Sequence, residues 1–198
     1  LIDLINRGVI DLSAVEVLVL DEADRMLDMG FINDIKKIIA KTPKDRQTLL
    51  FSATMSKEVV TLTKTIQRSP KMIQIGITNN PIDTITQHMY PVAREQKMEL
   101  LLYMMNRQQM FSVLIFSRTK RGADKICKKL KQNDIKAEAI HSDRSMRQRM
   151  RALQGFKRGD YQVMVATDIA ARGINVEGIS HVFNYDVPGY AEDYVHRI

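Results

Sequence analysis

The run Val15-Glu16-Val17-Leu18-Val19-Leu20-Asp21-Glu22-Ala23-Asp24 decides how the first part of the chain folds. Its first six residues, apolar apart from Glu16, have the length and β-branched content of a buried strand. Three carboxylates within four residues follow at once. Acidic side chains at this point suit a helix N-terminus, where they complement the dipole. They also suit chemistry. A carboxylate at the end of a buried strand can hold Mg²⁺ through water beside a nucleotide phosphate. A second one beside it can take the proton of an attacking water. On that reading Asp21 serves the metal and Glu22 is the base, but an acidic tetrad taken alone fits the helix start better.

The same grammar repeats outward from this run. Met29 to Ala40 carries apolar residues at helical spacing, Gln47 to Ser52 reads as a strand, and Ser56 to Ile66 as a helix capped by Ser56. Met72 to Ile77 reads as a third strand. The polar stretch Thr78-Asn79-Asn80-Pro81 is turn-forming and marks a linker over 78–84, between domains at 1–77 and 85–198. Beyond it, strands are expected at Ile85–Val92, Val113–Phe116, Ala137–Ile140, Gln162–Ala166 and His181–Tyr185. Helices are expected at Glu95–Met105, Lys120–Gln132 and Ser145–Lys157, the last with Met146, Met150, Leu153 and Phe156 facing inward. Strands alternating with helices predict an α/β fold of parallel sheets covered by helices. Such sheets bind ligands at the carboxyl ends of their strands. Ser52-Ala53-Thr54 also follows a strand directly, and its hydroxyls can either cap the next helix or tie down a carboxylate of the acidic run.

Composition narrows the classes of function. With 44% hydrophobic and 27% charged residues the chain has ordinary globular content. No apolar stretch approaches the roughly 18 residues of a membrane span. Leu1 opens into an amphipathic segment without the pattern of a secretion signal. The single cysteine, Cys127, falls in the helical stripe Ala123, Ile126, Cys127, Leu130 and reads as a core residue. A cytoplasmic location is expected from these features. The net charge of +7 is uneven: residues 1–80 hold 11 basic against 10 acidic side chains, residues 81–198 hold 19 against 13. A basic second half suits a polyanion, although it also fits a solvated face.

Asp21-Glu22-Ala23-Asp24 and, some thirty residues on, Ser52-Ala53-Thr54 resemble motifs II and III of the DEAD-box RNA helicases of superfamily 2, in a bacterial style. Leu1 to Asn6 is similar to the segment after motif Ib, and Leu114-Ile115-Phe116-Ser117-Arg118-Thr119 to motif IV. Val165-Ala166-Thr167-Asp168-Ile169-Ala170-Ala171-Arg172-Gly173-Ile174 resembles motif V, and Tyr194-Val195-His196-Arg197-Ile198 the opening of motif VI. The resemblance covers essentially the whole chain. It implies two RecA-like parallel-sheet domains, the first represented by its C-terminal part and the second nearly complete. It implies ATP and Mg²⁺ as cofactors, with Asp21 on the metal through water, Glu22 activating water, and Asp24 coupled to Ser52 and Thr54. Asn175 and His196 would join the nucleotide site. Arg118, Arg149, Thr167 and Gly173 would line the path of a single RNA strand, gripped by its backbone whatever its sequence. A monomer acting on RNA, alone or in ribonucleoprotein, is expected.

Two departures stand out. The family loop His-Gly-Asp-x-Ser-Gln-x-x-Arg is here His141-Ser142-Asp143-Arg144-Ser145-Met146-Arg147-Gln148-Arg149, so Met146 replaces an amide donor while Arg149 is kept. Asn175 stands where the family has an aspartate facing the ribose, which predicts weaker closure on ATP. No Gly-x-x-x-x-Gly-Lys-Thr run occurs, and the arginines expected later in motif VI are not among these residues. The chain is therefore expected to be an internal fragment that does not hydrolyse ATP by itself. Two further readings remain: a catalytically inactive module that binds single-stranded RNA, and a DNA helicase of the same superfamily.

Overall fold

The computed structural model describes residues 1–75, 85–107, 109–171 and 176–197. Two compact units divide it, Leu1–Asn80 and Pro81–Ile198.

In the first unit, β1 (Val17–Leu20) pairs in parallel with β2 (Gln47–Leu50), Leu20 opposite Leu50. Around them run α1 (Ile2–Asn6), α2 (Ala23–Asp28), α3 (Ile32–Ile39) and α4 (Lys57–Ile66). Ser56 caps α4 as the sequence predicts, accepting the Val59 amide at 3.3 Å. Leu20, Ile35 and Leu62 form a small core. The alternation of a strand puts Val17 and Val19 on the other face of β1, where each stays about half exposed.

The second unit holds a four-stranded parallel sheet in the order β4-β5-β3-β6. Its strands are β3 (Val113–Phe116), β4 (Ala137–Ile140), β5 (Val163–Ala166) and β6 (His181–Asn184). Helices α5 (Lys97–Arg107) and α6 (Lys120–Lys131) bury Leu101, Met105, Ala123, Ile126, Cys127 and Leu130 against Val113, Ile115, Val163 and Val165. On the opposite face Phe156 of α7 (Met146–Lys157) joins Leu114, Ile140 and Met164. β3 and β5 are buried at every position, as central parallel strands require. Short helices α8 (Asp168–Ala171) and α9 (Ala191–Val195) follow β5 and β6.

Three expectations fail. Residues 72–75 form no strand, and Met72, Ile73 and Ile75 are largely exposed; residues 76 and 77 lie outside the described ones. Nor do residues 85–92 form a strand, and Met89 is exposed. Both runs have strand-like composition without a ladder partner among the described residues, and Pro91 removes one donor from the second. Met146 and Met150 face solvent, not the core. The buried stripe of α7 is Ala152, Gly155 and Phe156, with Leu153 packed beside it. A Cβ on Gly155 would stand 2.5 Å from the Tyr161 ring, so closeness at this point sets the phase of the helix.

Candidate functional site

The strand ends of the first unit are stitched together by main chain. The Phe51 amide donates to Leu20 O at 2.8 Å and the Ala23 amide to Phe51 O at 3.0 Å. Between these bonds the chain turns sharply. Glu22 has left-handed backbone angles (φ 51°, ψ 47°), which cost about 1–2 kcal/mol for a residue with a Cβ. Asp21 is exposed at the end of β1, and its Oδ1 accepts the Glu22 amide at 2.9 Å. The Glu22 carboxylate stands 3.8 Å from the Arg25 guanidinium and keeps contact with solvent.

Asp24 is the reverse case, at 3% exposure. Its Oδ2 accepts both the Thr54 amide (2.7 Å) and the Thr54 hydroxyl (2.8 Å), and its Oδ1 accepts the Arg25 amide. Ser52 accepts the Asp24 amide at 3.2 Å and donates to Thr54 O at 2.7 Å. The structure thus sorts the five acidic and hydroxyl candidates into a pair open to solvent, exposed Asp21 and half-buried Glu22, and a knot in which Ser52 and Thr54 close around buried Asp24. The knot joins the residue after β1's acidic turn, Asp24, to the segment after β2.

In the second unit the loops after β3, β5 and β6 meet at the carboxyl edge of the sheet. Asp186 joins the loops after β3 and β6. Its Oδ2 accepts the Arg118 amide (3.0 Å) and the Ser117 hydroxyl (3.3 Å), and its Oδ1 accepts from Lys97 Nζ (3.3 Å). Burial by itself would raise the Asp186 carboxyl, but the Arg118 amide and the Lys97 ammonium outweigh it and hold the group below its usual range. Arg118 also donates through Nη2 to Val187 O at 3.2 Å. Gly122 lets this junction close: a Cβ there would stand 2.5 Å from Ser117 Oγ. Thr167 starts α8, its carbonyl accepting the Ala170 and Ala171 amides. Arg149 is half-buried, and its Nε is shielded without a hydrogen-bond partner among the described residues. His196 follows α9, half-buried. Gly173 and Asn175 lie outside the described residues.

One residue escaped the sequence reading. Arg197 is 5% exposed and forks onto both oxygens of Asp168, Nε to Oδ1 at 2.7 Å and Nη2 to Oδ2 at 2.8 Å. Its Nη1 donates to Asn184 Oδ1 and to Asp186 O, and the guanidinium lies 4.7 Å from the centre of the Phe116 ring. Arg197 therefore ties the loops after β5 and β6 to the end of β3. The signal was its place beside His196 in the segment similar to motif VI, but its partner lies 29 positions back and no local pattern reveals it.

Comparison with known families fixes the class. The model of the helicase conserved C-terminal domain matches residues 96–198, and that of the DEAD/DEAH box helicases matches residues 1–62. The chain belongs to the DEAD-box RNA helicase family. Among its relatives, the DEAD-box ATP-dependent RNA helicase CshA of Streptococcus pneumoniae is 41% identical over all of this chain and 38% of its own length. The ATP-dependent RNA helicase RhlB of Pseudomonas aeruginosa is 44% identical over all of this chain and 50% of its own. The chain thus spans half or less of the length of these two relatives. Among solved structures, S. cerevisiae Dbp5 bound to RNA and ADP BeF3 matches 98% of this chain and 52% of its own, with 32% identity and a TM-score of 0.88. A DEAD box protein from Methanococcus jannaschii matches 99% of this chain and 53% of its own, with 38% identity and a TM-score of 0.56. The α/β class and RecA-like parallel sheets expected from the sequence agree with these neighbours. No helix among the described residues is long and apolar enough to cross a membrane.

Proposed function

We propose that the whole protein carrying these residues is an RNA-stimulated ATPase that separates or remodels RNA. One observation carries this reading. A solvent-accessible carboxylate pair, Asp21 and Glu22, sits in a strained turn beside a buried carboxylate, Asp24, hydrogen-bonded to the Ser52–Thr54 segment. An acidic helix start needs no such division of labour. A relative whose structure holds RNA and ADP BeF3 adds support.

The residues present fit Mg²⁺ and ATP. Asp21 offers a carboxylate at an open strand end, with only Oδ1 engaged among the described residues, by the Glu22 amide. Among the described residues no three His, Cys, Asp or Glu side chains converge as a metal cage. Mg²⁺ prefers one or two carboxylates supplemented by water and phosphate oxygens, which is what Asp21 can complete. When bound, ATP would supply the electrophilic γ-phosphorus with ADP as its leaving group, and Mg²⁺, held by Asp21 through water, would offset the phosphate charge. Glu22 then takes the proton of the attacking water on its carboxylate, which Arg25 steadies from 3.8 Å. Asp24 takes no proton in this scheme, since both its oxygens are occupied. It transmits position from β1 to the segment after β2.

In the second unit we assign Arg118, Arg149, Thr167 and Gly173 to the RNA backbone, and Asn175 and His196 to the nucleotide. The unpartnered Nε of Arg149 supports an anionic ligand there. Backbone contact makes the binding sequence-independent and salt-sensitive. We place the protein in the cytoplasm, acting as a monomer on RNA or ribonucleoprotein. The 198 residues contain no Gly-x-x-x-x-Gly-Lys-Thr run, so this polypeptide alone is expected to bind RNA without turning over ATP. The deciding experiment is ATPase activity of the whole protein with RNA and with DNA of the same sequence. Stimulation by RNA alone supports the reading; equal stimulation by DNA points to a DNA helicase, and none by either overturns it.

A further inference from the structure

Beyond the sheet-edge path, we infer a second RNA-binding track along the outer face of α6, lined by Arg121, Lys125, Lys128 and Lys129. The inference rests on the RNA-binding reading above and extends it to a surface that no motif of the chain reaches.

Charge is not spread evenly over the second unit. Helix α6 holds six basic residues and one acidic, and α7 four basic and none acidic. The two helices together carry +9, so the remainder of residues 81–198 is net −3 against a unit total of +6. The cations of α7 include Arg149, already placed on the RNA path. Those of α6 have no assignment.

Within α6 some charges are used internally. Lys120 pairs with Asp143 at 2.7 Å and Lys131 with Glu138 at 3.0 Å. The lone acid, Asp124, is taken by Arg144 at 2.8 Å and His141 at 3.0 Å. Arg121, Lys125, Lys128 and Lys129 have no carboxylate in salt-bridge reach among the described residues, and all four are exposed. Positions 121, 125 and 128 follow the i, i+4, i+7 spacing of one helical stripe, with 129 alongside. The buried stripe, Ala123, Ile126, Cys127 and Leu130, lies on the opposite side, so the cations point away from the sheet. Like charges held this close repel one another, and a polyanion relieves that repulsion.

Two observations favour RNA over an acidic protein. The first is continuity. Arg118 directly precedes Thr119, which caps α6 by accepting the Gly122 amide at 3.0 Å, so the stripe begins where the proposed RNA path ends. The second is composition. No exposed large apolar side chain occurs between Phe111 and Met146. Protein interfaces are anchored by buried aromatic and aliphatic groups and are depleted in Lys. A face of Lys and Arg without an apolar anchor matches a flexible row of phosphates.

The test uses the 198-residue chain and fluorescein-labelled oligouridylates of two lengths, one long enough only for the sheet-edge path and one several times longer. Binding is followed by anisotropy across a fourfold range of salt. The variant Lys125→Gln/Lys128→Gln is compared with Lys136→Gln/Lys157→Gln, which removes the same charge from exposed positions off the stripe. Circular dichroism confirms that both fold. For single strands each phosphate contact contributes about 0.7 to the salt slope. The stripe variant should therefore lower the slope for the long RNA by about 1.4, so that its affinity falls about sevenfold less than the wild type's over the salt range. The short RNA and the off-stripe variant should keep the wild-type slope. Equal slopes for both variants on the long RNA would overturn the inference, and a stripe serving an acidic protein would give that result. If the wild type binds neither RNA, the RNA-binding reading falls and the track with it.

Discussion

Glu22 and Asp24 are two positions apart and occupy opposite surroundings, one open to solvent, the other sealed in a knot of hydrogen bonds. The sequence shows the carboxylates but not this contrast, because burial of Asp24 depends on a hydroxyl 30 positions away. Thr54→Val removes an O–H donor from a buried carboxylate. It should destabilise the first unit by about 1.5–3 kcal/mol, the range for hydrogen bonds to charged groups. Urea unfolding reads this, and an unchanged midpoint would mean that the carboxylate finds another donor. Arg197 makes the matching argument in the second unit. Arg197→Ala leaves Asp168 without its fork and should cost about 3 kcal/mol, the low end for a broken buried pair since Asp168 keeps some solvent. Arg197→Lys keeps the charge but loses the bidentate geometry, so its urea midpoint should fall between those of the wild type and Arg197→Ala.

At the scale of elements, the Ser56 cap and the buried strands were legible in the sequence and the unpaired segments were not. Ser56, Thr119 and Ser145 each accept a backbone amide at a helix start, and Ser145 completes a capping box with Gln148. Such signals lie within a few residues of what they govern. A strand, by contrast, exists only with a partner. The β-branched runs near residues 75 and 88 have strand-like composition, but composition does not state whether an edge is available to them. The phase of α7 failed for a similar reason: close packing of Gly155 on Tyr161, not the methionine spacing, selects the inward face. The loops after β3 and β6 share one titratable junction, Asp186. Its folded-state pKa lies below the ordinary aspartate value of about 3.9. Its contribution to stability is therefore complete above that ordinary value and disappears as pH falls through the lower, folded one. Acid titration should loosen the second unit in that window. Asp186→Asn should flatten the loss there, and an identical acid profile for the variant would remove Asp186 as its cause.

For the whole molecule, the two units differ in how much core they own. The first has a two-stranded sheet over the small cluster of Leu20, Ile35 and Leu62, with a half-exposed valine face. The second has a four-stranded sheet with buried clusters on both faces. Backbone amides of β3 and β5 should accordingly exchange with deuterium more slowly than those of β1 and β2 in the 198-residue chain. Equal protection would show that the first unit is stabilised by something beyond its own core. The polar run at 78–81 led only to an expected linker, and the Arg197 and Asp186 junctions were not legible in the sequence, being built from residues that only the fold brings together.

The most direct test is RNA-stimulated ATP hydrolysis by the whole protein carrying Glu22→Gln. If Glu22 is the base, turnover should fall by about 10²–10⁴, the usual contribution of a positioned base, while RNA binding stays at the wild-type level. Hydrolysis at the wild-type rate would show that the strand-end carboxylates of β1 do not perform the chemistry assigned to them.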